Sequence, residues 1–176
     1  MSNDFDLVIR GGTVVNAAEI SKCDIGVKDG RIIALGENLS SGTKEIDSTG
    51  KYVMPGGIDS HCHIDQRSSG GGKNSETFES GTRSAACGGT TTIICFAAQE
   101  KGELLTPVVE EYHEKAKQSC IDYSFHLIIS DPSDHVMNEE VPALIKSGHR
   151  SLKLFMTYPR NRLNDAEILR VLEVAK

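Results

Sequence analysis

The sequence predicts an α/β protein in two parts, a small all-β unit over residues 1–54 and then alternating strands and helices over residues 55–176. Three observations carry this. The first fifty or so residues hold short β-branched segments and no stretch of helical period. Pro55-Gly56-Gly57 breaks the chain, and its character changes there. Beyond the break, four strand-then-helix patterns follow one another. Their runs of Ile, Val and Leu suit a parallel sheet covered by helices.

In the first part, residues 5–10 read as a strand, Gly11-Gly12 as a break and residues 13–16 as more strand. Residues 24–28 and 31–35 flank Asp29-Gly30, a dipeptide that signals a tight hairpin between β-branched segments. Residues 44–47 and 52–54 add strand material.

In the second part, residues 58–63 read as a strand. A helix over 76–87 follows, acidic in its first turn and closed by Gly88-Gly89. Residues 90–97 are a buried β-rich run. Thr106 and Pro107 read as the N-cap and first residue of a second helix. Residues 123–130 are a strand, 139–146 a helix ending at Gly148, and 151–156 a strand. Asn164-Asp165-Ala166-Glu167 is a capping box for a last helix. The sequence stops inside that apolar-periodic helix, with no terminating residue after it. A closed (β/α)8 barrel takes ~250 residues and only about 120 follow the break. The pattern therefore fits either an open four-stranded sheet or half a barrel, and it reads as a piece of a longer protein.

Composition excludes several function classes. The formal net charge of −6 and pI near 5.5 describe a surface that repels phosphate backbones, so nucleic acid is not an expected partner. No apolar run approaches the ~20 residues of a membrane helix, so no membrane association is expected. Residues 1–6 are polar and acidic, unlike a signal or transit peptide. The five cysteines are odd in number and show no CxxC spacing, which argues against a disulfide framework. Reduced thiols in a cytoplasmic protein are the simplest reading.

The sharpest chemical feature is His61-Cys62-His63. On a strand, residues i and i+2 share a face, so both imidazoles can reach one metal ion while Cys62 points away. A bare His-x-His is a weak signal, open also to a structural role. Its place at the end of the first strand after the break strengthens it, because barrel active sites lie at C-terminal strand ends. Lys153, in Ser151-Leu152-Lys153-Leu154-Phe155-Met156, is the second feature. A lysine inside an apolar strand must shed its charge or find a partner, and a neutral amine can react. The bland alternative is a strand-end lysine reaching solvent.

The segment Pro55-Gly56-Gly57-Ile58-Asp59-Ser60-His61-Cys62-His63-Ile64-Asp65 resembles the first-strand motif of the metal-dependent amidohydrolases, within the dihydropyrimidinase and hydantoinase branch. Thr77-Phe78-Glu79-Ser80-Gly81-Thr82-Arg83, Gly88-Gly89-Thr90-Thr91 and Leu152-Lys153-Leu154-Phe155-Met156-Thr157-Tyr158 resemble that branch too. The resemblance implies the first half of a (β/α)8 TIM barrel preceded by part of a small β-sandwich. It implies hydrolysis of a cyclic amide, a dihydropyrimidine or 5-substituted hydantoin opened to the N-carbamoyl amino acid by a hydroxide bridging two metals. His61 and His63 would bind one of two divalent ions, zinc in most such enzymes. Lys153 would be carboxylated by CO2, its carbamate bridging both ions. Tyr158 would bind substrate and hydrogen-bond the developing oxyanion. The intact protein would be a cytoplasmic homotetramer.

Other residues refine that picture. The family completes its site with two histidines and an aspartate from later strands, so residues 1–176 alone are expected to be inactive. His113 reads as solvated on a charged helix; His126 alternates with apolar neighbours and reads as a hydrogen-bonded core histidine, with a place lining the barrel as the alternative. Residues 66–74 form a polar, glycine-rich loop, either a mobile surface segment or a lid shaping the pocket for the exocyclic group. Asp65 stands where dihydroorotases carry an arginine for a substrate carboxylate, which favours an uncharged ring. Cys95 is expected at a strand end where many relatives carry an acid. Two alternatives remain, a non-catalytic scaffold of the same fold and an allantoinase-type enzyme.

Overall fold

The structure, a computed structural model, describes residues 4–67, 72 and 74–176. It divides into two compact units, the first ending at Pro55 and the second running Gly56–Lys176.

The first unit holds only strands among its described residues. β1 (Phe5–Val15) pairs antiparallel with β2 (Ile20–Lys28), which pairs antiparallel with β3 (Arg31–Gly36). On its other edge β1 runs parallel to β4 (Gly42–Asp47) and, further along, to β5 (Tyr52–Val53). The hairpin at Asp29-Gly30 forms as the dipeptide predicts. Both residues take positive φ, 49° and 70°, as a turn matched to strand twist requires. Gly11-Gly12 does not break the strand. It makes a bulge in a continuous β1, the register slipping between Ile9 and Gly12. Gly11 has φ 68°, and its N–H donates to Asp24 Oδ1 at 2.9 Å. Phe5, Val8, Val14 and Ile25 are buried on this sheet.

The second unit is a four-stranded parallel sheet in the order β6-β7-β8-β9, each strand followed by helix. β6 is Gly57–Asp59, β7 Thr90–Ala98, β8 Asp122–Ile128 and β9 Leu152–Lys153. The helices are α1 (Phe78–Cys87), α2 (Leu105–Ala116), α3 (Val141–Lys146) and α4 (Asp165–Val174). Sequential parallel strands with intervening helices are the connectivity of half a barrel. Along β7 the two-residue period separates two environments. Ile93, Cys95 and Ala97 pack into the helix-facing core with Phe78, Val109, Phe125 and Leu127, whereas Phe96 turns to the other face. No helix among the described residues is long and apolar enough to cross a membrane.

Several local expectations are corrected. β6 ends at Asp59 rather than at residue 63, because the Asp59 carboxylate accepts the His61 N–H at 3.0 Å and ends the regular pairing. Residues 151–156 contribute only Leu152–Lys153 to the ladder, after which Phe155 bridges Arg162 within its own loop. The third helix is preceded by a π-helical turn, Val136–Glu140, so helical backbone begins before residue 139. Thr106 is not the cap of α2. That helix begins at Leu105, and Glu140 caps it from across the fold, accepting the N–H groups of Leu105 at 2.8 Å and Thr106 at 3.1 Å. The capping box at α4 forms as expected, with Asn164 and Glu167 exchanging side-chain-to-backbone bonds of 3.0 and 2.7 Å.

Candidate active site

His61 and His63 follow β6 at its C-terminal end, where an irregular segment carries both rings toward the same side. Although the ladder has ended, the alternation survives. The two imidazole centroids stand 5.4 Å apart in an edge-to-face arrangement, and Cys62 turns away to the helix-facing core. Phe96 of β7 is the platform beneath both rings, stacked on His63 at 4.6 Å and edge-on to His61 at 4.7 Å. Phe96 is a residue the sequence reading missed. The signal was available in strand alternation, since Phe96 occupies the face opposite Ile93, Cys95 and Ala97.

Gln66 was also missed. Its Oε1 lies 2.6 Å from His63 Nδ1, so an Nδ1 proton is held there and Nε2 keeps its lone pair for another partner. Asn74 then donates to the His63 carbonyl at 2.7 Å, tying the returning loop to the same residue. Of the predicted loop 66–74, residues 68–71 and 73 lie outside the described residues, so the lid reading falls on them.

Lys153 closes β9 opposite Ile128 in the ladder. Its Nζ lies 5.2 Å over the Phe155 ring, and Phe155 meets Tyr158 edge-on at 5.4 Å. Among the described residues no carboxylate pairs with this amine. His61, His63, Lys153 and Tyr158 all line one cavity of about 930 Å³, a volume typical of small-molecule sites. The four predicted residues, from two stretches of chain some ninety residues apart, are thus brought to one space.

Around this cavity the electrostatics are ordered by ion pairs. Arg67 lines it and is held by Glu103 at 2.9 Å and Glu111 at 2.5 Å, and the Glu103 bond raises its pKa above the ordinary guanidinium value. Gln99, fully buried, accepts the N–H groups of Ser130 at 3.0 Å and Asp131 at 3.1 Å, fastening the end of β7 to the end of β8. Behind the imidazoles, Cys62 Sγ and Cys95 Sγ are 3.3 Å apart. Hydrogen bonding from Cys95 holds the Cys62 thiol below its ordinary range, and the same contact with burial pushes Cys95 upward. Cys95 lies inside β7 and is fully buried, not at the strand end expected of it.

Of the remaining histidines, His126 is paired with Phe96 in the ladder, and its ring centroid stands 5.0 Å from that of Phe96, on the face that carries His61 and His63. Both its ring nitrogens are engaged, Nδ1 with Ser151 Oγ at 2.6 Å and Nε2 with the Ser60 carbonyl at 2.9 Å, so it is hydrogen-bonded as expected, yet it is half-buried on the Phe96 face and not part of the helix-facing core. His113 is not solvated. It packs edge-on to Phe125 at 5.1 Å and its Nε2 meets His149 Nε2 at 3.3 Å, because α2 turns this part of its charged face toward β8. Burial lowers the pKa of both. Asp65, at φ 47°, is buried away from the cavity lining.

The chemistry of this donor set fits a divalent cation. Two imidazoles open onto one cavity with one tautomer fixed from behind, and a lysine faces the same space. Among the described residues no group of three or more His, Cys, Asp or Glu is placed to hold a metal ion.

Comparison with known proteins follows the same division. Residues 52–176 match the amidohydrolase family, and residues 1–54 match the N-terminal domain of the urease alpha-subunit. A D-hydantoinase of Geobacillus stearothermophilus is 46% identical over 173 residues, covering 96% of this chain and 36% of that protein. One from Ralstonia pickettii is 41% identical over 172 residues, covering 97% and 37%. Among solved structures, a D-hydantoinase superposes with a TM-score of 0.92 at 41% identity, over 97% of this chain and 37% of the other. The dihydropyrimidinase from Brevibacillus agri NCHU1002 gives 0.89 at 40%, over 96% and 37%. The chain thus spans little more than a third of the length of the relatives it matches.

Proposed function

The chain belongs to the amidohydrolase family, and from that premise we propose that it carries the first metal-binding half of a cyclic amidohydrolase. The reaction is hydrolytic opening of a dihydropyrimidine or 5-substituted hydantoin ring to the N-carbamoyl amino acid. The observation that carries this reading is the shared cavity of His61, His63, Lys153 and Tyr158. The substrate class is supported by the relatives, which are named D-hydantoinase and dihydropyrimidinase.

In this reading His61 and His63 hold one of two divalent ions, zinc for preference, since imidazole suits that ion. Gln66 keeps the His63 proton on Nδ1, leaving Nε2 as ligand atom. Lys153 takes up CO2 on its Nζ, losing a proton and becoming an anion that suits a pair of cations. When bound, the ions supply Lewis acidity and lower the pKa of water to about 7, making hydroxide available at neutral pH. Tyr158, 63% exposed on the cavity wall, donates its hydroxyl proton to the oxygen on which charge develops. Phe96 excludes water from beneath the two rings.

Cytoplasmic location is supported by five free thiols. A homotetramer follows from the family resemblance. The test is metal content and turnover of the intact protein on hydantoin, dihydrouracil and allantoin. Two metal equivalents, ring opening of the first two substrates, and loss of both properties in His61→Ala and His63→Ala are expected. Absence of bound metal would favour the scaffold, and preference for allantoin the allantoinase-type enzyme.

A further inference from the structure

We propose that Cys62 and Cys95 form a thiol modification site, oxidised by a hydroperoxide to a disulfide that joins the segment after β6 to β7 and disturbs the imidazole pair. The disulfide goes beyond the hydrolytic reading, whereas its effect on metal binding rests on that reading.

The two sulfurs are 3.3 Å apart, in contact without a bond. The backbone around them fits a bridge. Beyond the end of β6, Cys62 donates its N–H to the Ile94 carbonyl at 3.4 Å, which holds it beside Cys95, the next residue of β7. Both side chains point to the helix-facing side of the sheet, Cys95 fully buried and Cys62 keeping part of its surface. No other pair among the five thiols is in such contact. Cys23 is in the first unit beside Ser21, and Cys87 and Cys120 are exposed.

A small hydroperoxide reaches Cys62 first. The Cys62 sulfur attacks the peroxide, the O–O bond breaks, and Cys62 becomes a sulfenic acid as the other oxygen leaves as water or alcohol with the thiol proton. Cys95 sulfur then attacks the sulfenic sulfur and displaces the hydroxyl, which leaves as water with the Cys95 proton. Two thiols are oxidised by two electrons and one peroxide is reduced. Closing the bond contracts the sulfur separation from 3.3 Å to ~2.05 Å. Cys62 lies between His61 and His63, and metal–ligand distances tolerate only about 0.2 Å. The contraction therefore reaches the cradle, and a dithiol reductant reverses it.

The experiment treats the intact, metal-loaded protein with hydrogen peroxide. Disulfide-linked peptides are mapped by mass spectrometry without reductant, and bound metal is measured in parallel. The expected result is a peptide pair joined through Cys62 and Cys95, two hydrogens lighter than the free thiols, with bound metal falling and returning after dithiothreitol and zinc. Cys95→Ala is expected to accumulate a Cys62 sulfenic acid trappable by dimedone. Cys62 and Cys95 both remaining thiols, or Cys62 oxidised without a link to Cys95, overturns the site. A disulfide with bound metal unchanged overturns the coupling. A protein that binds no metal before treatment overturns the hydrolytic reading instead, and the peptide map still decides the disulfide.

Discussion

Replacing Gln66 by Leu removes the one side-chain acceptor that holds the His63 proton on Nδ1, at 2.6 Å. The ring is then free to place its proton on Nε2, the atom that must be bare to bind a cation. Loss of such a partner costs about 10- to 100-fold in metal affinity. The His63–Gln66 contact is solvent-exposed, so water replaces part of it, and the lower end applies. The expected loss is about tenfold, or about 1.4 kcal/mol. Zinc affinity is measured on the intact protein by competition with a chromophoric chelator at pH 7.5. Gln66→Glu, which restores an acceptor, is measured alongside and is expected to bind at least as tightly as the parent. Equal affinity of Gln66→Leu and the parent would refute the reasoning, because it would mean that the Nδ1 contact does not orient a ligand.

Glu140→Ala strips the cap from α2 and leaves one buried and one part-buried N–H group unpaired, so a loss of about 1–3 kcal/mol in denaturant unfolding is expected, with Glu140→Gln recovering part of it. His113 and His149 have pKa values lowered by burial, so the unfolded chain binds protons that the folded one refuses. Their contribution is complete above about pH 6.5 and falls as pH drops below it, which unfolding midpoints between pH 8 and 5 will report; in His113→Gln the slope in that window should shrink. Tyr158→Phe, if the phenol donates to the oxyanion, lowers kcat about 100- to 1000-fold with little change in metal content. A fall in KM alone would count against that role.

The parts of this molecule legible in sequence are those decided locally. The Asp29-Gly30 turn is dictated by two residues that tolerate positive φ, and the box at Asn164 by side chains three residues apart. His61 and His63 were legible because their spacing survives even where the strand does not. What escaped reading was decided across the fold. Thr106 looks like a cap, yet Glu140, 34 residues away, supplies it. His113 sits among charged neighbours in sequence, and only packing of α2 on β8 brings it against Phe125 and His149. The run at residues 151–156 is apolar enough for a long strand, but its chain turns after Lys153 and bonds to itself at Arg162. Gln66 lies three residues from His63 with no pattern to mark it, since one amide contact has no periodicity.

In the proposed function the His61 and His63 imidazoles and the Lys153 amine surround a pair of cations. That arrangement is tested most directly by anomalous diffraction from crystals of the intact protein grown with zinc. Two peaks are predicted in the cavity, one ~2.0–2.1 Å from nitrogens of His61 and His63 and both touching extra density on Lys153 Nζ. Peaks elsewhere, or an unmodified Lys153 with no ion beside it, would rule out that arrangement.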